Sequence, residues 1–377
     1  MKGFRNVNAF VDGKFIKTNI GIDGAQIAFV GDGEITEPIA CNGIVCPGFI
    51  DQHMHGAGGY DVMDATFEVY EKISSVLARE GVTSYLGGSV TQTPEKIISA
   101  HKAMAEYMKV QSNGAEMIGI HLEGPFLSAK KAGAHVPELL APLDTKVLQE
   151  YIDASDGNVR LITVAPELDN AEEFIKYCVE KGITVDAGHT NATYEQFRKS
   201  IAWGVSCTTH TYNAMSSIHH RDVGVAGGAI LEDVYNEVIA DGVHVSFPAI
   251  KILANQKADK LILITDAMGA KGVGLDGEFE ICGQRVYLAH GEVRLPDGTL
   301  AGSVLTLDRA VRNMVKEVGI TIEQAINAVT VNPAKCLGVF DRVGSIEVGK
   351  RANFTILDDG LNVLMTIVGG KIVYNRE

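Results

Sequence analysis

The sequence predicts an α/β protein: a (β/α)8 TIM barrel carrying a small β-sandwich domain built from both chain termini. Three observations lead there. Eight apolar, strand-like runs alternate with helical periods through the middle of the chain. Both ends are rich in short strands and show no helical period. The 41 glycines among 377 residues suit a fold with many tight strand-to-helix turns. The expected limits are 1–46 and 346–377 for the two parts of the small domain and 47–345 for the barrel.

At the N-terminal end, Asn8–Val11 and Lys14–Ile20 flank Asp12-Gly13. An Asp-Gly pair between apolar stretches is a hairpin signal, because both residues tolerate the positive φ of a two-residue turn. Gln26–Val30 follows, before Gly31-Asp32-Gly33. The barrel strands are read at Val45–Asp51, Thr83–Leu86, Met117–Glu123, Val159–Ala165, Thr184–Ala187, Ser206–His210, Glu237–Asp241 and Leu261–Thr265. Most are nearly all apolar, as strands covered on both faces must be. Helical faces lie between and after them: Val69, Ile73, Val76 and Leu77; Phe174, Ile175, Cys178 and Val179; Val311, Met314, Val315 and Val318. The rival arrangement, an open doubly wound sheet, calls for a Gly-rich phosphate loop after an early strand. Neither GxGxxG nor GxxxxGKS occurs. Gly272–Leu300 reads as a β excursion between the last strand and the last helix. Ala352–Leu357, Val363–Val368 and Lys371–Tyr374 close the chain as short strands.

Composition narrows the function. With 46% hydrophobic and 21% charged residues the chain can bury a large core. A net charge of −14 argues against a general nucleic-acid binder, yet a local Arg or a set of backbone N–H groups can still hold an anionic substrate. The six cysteines are widely spread with no CxxC pair, which reads as reduced, mostly buried thiols in a cytoplasmic protein. The N-terminus has no apolar signal segment and no uncharged run approaches the length of a membrane span, so neither secretion nor membrane insertion is expected.

The chemistry-bearing residues sit at strand ends. His53 and His55 follow the first strand with one residue between them, so alternation points both imidazoles the same way, and a neutral imidazole is a common metal ligand. Glu123 ends the third strand in His-Leu-Glu-Gly-Pro-Phe, His189 follows the fifth, His210 ends the sixth and Asp266 follows the eighth. Singly, each signal is weak: a loop histidine is usually structural and Asp266 could simply cap a helix. Independent structural roles would scatter such residues over both ends of the barrel. Their coincidence at the C-terminal ends, where barrel active sites assemble, favours a metal site. His135 and His244 are candidates for substrate contact or for stabilising an oxyanion. A fixed guanidinium fork at Arg221 would match phosphate oxygens, although pairing with Asp222 is the bland alternative.

The combination resembles the amidohydrolase superfamily, and within it the N-acetylglucosamine-6-phosphate deacetylases. PGFIDQHMHG and GSIEVGKRANFTILD carry the general likeness; HLEGPF, KKAGAHVPE, DAGHTNA, THTYNAM, HHRDVG, ADGVHV, LITDAM and LAGSVLTL carry the narrow one. The resemblance implies Glu123, His189 and His210 as ligands of a principal divalent metal (Zn, Fe, Mn or Co) and Asp266 as catalytic acid and base. Family members vary at the paired histidines; His53 and His55 are present here, which leaves room for a second ion. The fourth strand ends without a lysine, so a carboxylated-lysine bridge is not expected and Glu123 becomes the candidate bridge. For the sugar phosphate the resemblance implies Asn213, Ala214 and Arg221, with Ala134, His135, Asp241, Gly242, Val243, His244, Leu300, Ala301 and Gly302 as further contacts. It also implies a homodimer. Same-class rivals are an N-acetylgalactosamine-6-phosphate deacetylase and an N-acyl-amino-acid deacylase. A non-catalytic binding protein would be expected to lack one of Glu123, His189, His210 or Asp266, and none is missing.

Overall fold

The computed structural model describes residues 1–376. Its centre is an eight-stranded sheet whose strand order is the chain order and whose neighbours are all parallel. The strands are Phe49–Asp51, Val82–Val90, Glu116–Glu123, Val159–Val164, Thr184–Ala187, Val205–Thr208, Tyr235–Ile239 and Leu261–Ile264. A helix follows each: Phe67–Ala78, Pro94–Val110, Thr145–Ala154, Ala171–Glu180, Tyr194–Trp203, Gly224–Leu231, Phe247–Lys257 and Leu307–Asn313. Every residue of the second strand is buried, which is why these runs carry almost no alternation of polarity. The helix starts are held locally. Thr66 and Thr193 accept from the backbone N–H of Val69 and Gln196, satisfying donors that the first turn leaves free.

Two boundaries differ from the sequence expectation for the same reason. The run Val45–Asp51 is not one strand: Ile44–Pro47 joins the terminal sheet and Phe49–Asp51 the parallel one. Gly48 is the break, and a Cβ there would lie 2.1 Å from Thr83 Oγ1. The second strand continues through Gly87 and Gly88 to Val90, because these glycines mark close approaches rather than a turn. A Cβ at Gly87 would meet Met104 Sδ at 2.5 Å, and one at Gly88 would meet the Met54 carbonyl oxygen at 2.4 Å. The sixth and seventh strands end earlier than expected, leaving His210 and Asp241 in the loops beyond. On the helices, Val179 is exposed instead of sharing the buried face of Phe174, Ile175 and Cys178.

The helix Pro94–Val110 buries His101 against the sheet. Its Nδ1 donates to the Tyr151 carbonyl at 3.2 Å, so Nε2 accepts from the Ser89 hydroxyl at 3.0 Å.

Strands from both chain ends form a second sheet, ordered Lys371–Asn375, Val363–Val368, Phe354–Leu357, Ile44–Pro47, Lys2–Val11, Lys14–Asp23 and Gln26–Gly31, with Glu37–Pro38 beside Lys2–Val11. Its core combines Phe4, Ile20, Ile27 and Val45 with Phe354, Ile356 and Ile367. Asp12 and Gly13 make the expected hairpin turn at φ 49° and 74°. The excursion between the last parallel strand and its helix is a three-stranded meander, Gly277–Ile281, Gln284–Ala289 and Glu292–Arg294. Among the described residues, all six cysteines are free and no helix is long and apolar enough to cross a membrane.

Candidate active site

His55, Glu123, His189, His210 and Asp266 converge at the C-terminal ends of the parallel strands, at the floor of a cavity of about 520 Å³, with the fully buried His53 packed against Glu123 and Asp266. The backbone is bent sharply to bring them in: His189, His210 and Asp266 have φ of 45°, 26° and 46°. Such left-handed values cost a non-glycine residue free energy and persist only where surrounding contacts impose them. For Asp266 those contacts are its N–H donated to the His53 carbonyl at 2.9 Å and its carbonyl accepting from Ser303 N at 2.8 Å.

Glu123 is the hub. Its Oε1 lies 3.3 Å from His189 Nε2, 3.2 Å from His210 Nε2 and 3.4 Å from His53 Nε2. Its Oε2 lies 3.2 Å from His55 Nε2 and 3.5 Å from His135 Nε2. Asp266 Oδ1 is 3.2 Å from His55 Nε2 and 3.6 Å from His53 Nε2. Three of these imidazoles have their tautomer fixed from behind. His55 Nδ1 donates to the Gly88 carbonyl and His189 Nδ1 to the Lys131 carbonyl, each at 2.9 Å, and His53 Nδ1 donates to Glu237 Oε2 at 2.9 Å. In its neutral form each ring would turn an Nε2 lone pair towards the Glu123 carboxylate, whereas without a cation, despite their burial, Glu123 and Asp266 draw His53 and His55 towards the protonated form. His189 and His210 bring their Nε2 atoms to 3.0 Å of one another.

Lone pairs facing a carboxylate and each other repel unless a proton or a cation lies between them. His53 Nε2 and Glu123 Oε1 are buried without a hydrogen-bond partner among the described residues. Nitrogen and carboxylate donors in this number suit a borderline divalent cation, and two overlapping sets offer themselves: His53, His55 and Glu123, and Glu123, His189 and His210. The residues fit a metal.

Electrostatics sorts the remaining groups. Burial would raise the Asp266 carboxyl, but His53 and His55 beside it hold it below the usual carboxylate range. Glu123 is likewise held down by His53, His135, His189 and His210 against its burial. Burial pushes His135 down to about 4, so it stands neutral in the cavity wall.

Of the other expected site residues, Ala134, His135, Asn213, Ala214, His244, Leu300 and Gly302 line the cavity. Asp241 turns inward on its own loop: Oδ1 accepts from Val243 N and His244 N at 2.8 Å, and Oδ2 takes His244 Nδ1 at 2.7 Å, which leaves His244 Nε2 free to face outwards. Gly242, Val243 and the buried Ala301 are outside the lining. So is Arg221, which is exposed and bonds His220 Nε2 at 2.9 Å rather than Asp222. Sequence reasoning missed Glu237, Gln52 and Thr209 behind the histidines, and Lys130, Lys131 and Cys282 in the cavity wall. An acidic residue inside an apolar strand was the available signal for Glu237.

Residues 44–373 match the Amidohydrolase family. The chain is 38% identical over 366 residues to N-acetylglucosamine-6-phosphate deacetylase of Bacillus subtilis, covering 94% of this chain and 92% of that one. It is also 38% identical over 330 residues to N-acetylgalactosamine-6-phosphate deacetylase of Escherichia coli O157:H7, covering 87% of each. Among solved structures, a mutant of N-acetyl-D-glucosamine-6-phosphate deacetylase from Mycobacterium smegmatis, in complex with N-acetyl-D-glucosamine-6-phosphate, superposes over 100% of both chains with a TM-score of 0.93 at 30% identity. With its strand-end histidines and acids converging on one cavity, and its length matched almost throughout, the chain belongs to the amidohydrolase family.

Proposed function

We propose that this protein hydrolyses the acetamide of N-acetyl-D-glucosamine 6-phosphate, giving D-glucosamine 6-phosphate and acetate, a step of amino-sugar catabolism and cell-wall recycling. The observation that carries the reading is the convergence of four imidazoles and two carboxylates at the base of one cavity, all but the buried His53 lining it. The names of the Bacillus and Mycobacterium relatives supply the substrate class.

Glu123, His189 and His210 would hold one divalent cation, and His53 and His55 with Glu123 a second; Zn(II), Fe(II), Mn(II) and Co(II) all suit these donors. A bound cation of this kind lowers the pKa of water towards about 7 and polarises a carbonyl oxygen. Asp266, kept ionised beside His53 and His55, accepts the proton of the water that attacks the acetamide carbonyl. It returns that proton to the nitrogen as the C–N bond breaks, so the amine leaves neutral. His135 is placed in the wall to donate to the developing oxyanion, and His244, oriented by Asp241, turns an accepting Nε2 towards a substrate hydroxyl. Asn213, Ala214, Leu300 and Gly302 bound the sugar, and Ala301 sits behind them. Gly242 and Val243 shape the loop that presents His244. Arg221, exposed and clear of its own cavity, is assigned to the phosphate of a second copy in a homodimer.

The same reading closes the parallel sheet into a (β/α)8 barrel over 47–345. Support comes from the bonds between its first and last strand ends, Asp266 N to the His53 carbonyl and Thr265 Oγ1 to Asp51 Oδ2 at 2.7 Å. Residues 1–46 and 346–376 then form the small β-sandwich domain, the expected last residue, 377, lying outside the described residues. Six free thiols fit a cytoplasmic location.

Acetate release from a panel of N-acetyl hexosamines tests the substrate. Removing the 6-phosphate should lower kcat/KM by about 100-fold, roughly 2.7 kcal/mol of transition-state stabilisation. The gluco epimer should outrun the galacto epimer. Equal turnover of the unphosphorylated sugar would overturn the assignment.

A further inference from the structure

Behind the metal-facing histidines lies a carboxylate with no place in the chemistry above. Glu237 belongs to the seventh parallel strand and is fully buried. Its Oε2 accepts from His53 Nδ1 at 2.9 Å, from Thr209 Oγ1 at 3.0 Å and from His210 N at 3.3 Å; its Oε1 accepts from Gln52 Nε2 at 2.7 Å. One side chain thus touches the first strand's end through Gln52 and His53, and the sixth strand's end through Thr209 and His210.

We infer that Glu237 is the positioning residue of the His53 metal subsite: by holding the proton on His53 Nδ1 it presents the Nε2 lone pair to a second divalent cation shared with His55 and Glu123. The inference rests on the metal-site reading above and adds a residue to it. The reasoning is one of tautomers. A neutral imidazole carries one N–H, and its place is set by what each nitrogen faces. A carboxylate accepts only, so His53 must donate to Glu237 from Nδ1, which leaves Nε2 bare within 3.4 Å of Glu123 Oε1. Without Glu237 the lowest-energy arrangement reverses. The proton moves to Nε2, where Glu123 and Asp266 accept it, and the lone pair needed by a cation is lost. The negative charge on Glu237 also makes the ring a better donor to a cation than a neutral acceptor would. His55 has only the Gly88 carbonyl behind it and His189 only the Lys131 carbonyl. Among the imidazoles facing Glu123, His53 alone is backed by a carboxylate within hydrogen-bond distance among the described residues.

The test is zinc titration of the purified protein against a chelating dye, for the unmodified chain, Glu237→Gln and His53→Gln. Glu237→Gln is nearly isosteric, and the Gln52 amide oxygen, which has no hydrogen-bond partner among the described residues, is available to accept from the new amide after Gln52 turns over. The unmodified chain should bind two ions, and His53→Gln should keep the tighter one only. Glu237→Gln, which keeps an acceptor but removes the negative charge, should keep the tighter ion and weaken the other by about tenfold, the usual loss when a partner behind a metal ligand is mutated. Glu237→Leu, which removes the acceptor altogether, should weaken it further; if that variant does not fold, Glu237→Gln alone decides. A second ion bound within twofold of normal by Glu237→Gln overturns the inference, as does a second ion that survives His53→Gln or a chain that never binds more than one. Acetate release is assayed separately, so loss of the substrate assignment would leave these stoichiometries readable.

Discussion

At the scale of single residues, the site separates metal holding from proton transfer. Asp266 touches the histidines but belongs to neither of the two triads of converging donors, so Asp266→Asn should retain zinc and substrate while kcat falls by about 10²–10⁴-fold, the loss typical of a removed general acid–base. Glu123→Gln should instead lose metal and activity together, since Glu123 is common to both triads. Elemental analysis alongside kcat distinguishes them; a metal-replete Glu123→Gln enzyme with normal turnover would remove Glu123 from the ligand set. These residues were legible in the sequence because each follows an apolar strand, and the end of a strand fixes where a side chain goes. Glu237 and Gln52 were not, because their importance lies in what stands opposite them across the sheet, and no spacing records that. Lys130 and Lys131 were passed over within a motif quoted for its Ala134 and His135.

At the scale of elements, the eight strands were legible from mostly apolar runs with little alternation of polarity, since a strand covered on both faces has no polar side to display. What failed was the reading of glycine. Gly48 interrupts a run that looked continuous, and Gly87 and Gly88 continue one that looked finished. In all three places the cause is a neighbouring atom within 2.5 Å of where a Cβ would stand, a fact of packing alone. The helix Pro94–Val110 carries its own prediction. Burial pushes His101 down to about 4, so the folded chain keeps it neutral while the unfolded chain protonates it near the ordinary histidine value of 6.5. Its contribution is therefore whole above pH 6.5 and declines as the pH falls towards 4, by up to about 3 kcal/mol. Denaturation midpoints followed from pH 7.5 to 4.5 should drop less steeply in His101→Gln than in the unmodified chain. Parallel curves would mean that His101 does not titrate in this window.

At the scale of the whole molecule, the proposed assignment of Arg221 to a second copy would make catalysis a property of a dimer. Asp266→Asn and Arg221→Ala homodimers should each be nearly inactive. Mixed into a verified heterodimer, they form one site with an intact Asp266 facing an intact Arg221. Activity should return to about half of the normal value per dimer, since one site in two is restored. A heterodimer as inactive as its parents would return Arg221 to its own subunit's cavity or remove it from phosphate binding.

The terminal sheet also orders events during synthesis. Lys2–Val11, Lys14–Asp23 and Gln26–Gly31 emerge before the parallel strands and can pair as hairpins at once. The apolar partners of Phe4, Ile20 and Val45 include Phe354, Ile356 and Ile367, more than 300 residues later in the chain. Until those arrive, the first-made segment waits with one flank of its core uncovered and the strand Ile44–Pro47 without its antiparallel neighbour. Chain ends that are joined last have the longest loop to close and the longest exposure to wrong partners. The nascent protein is therefore most vulnerable in these early-made strands until Phe354–Leu357 and Val363–Val368 reach them.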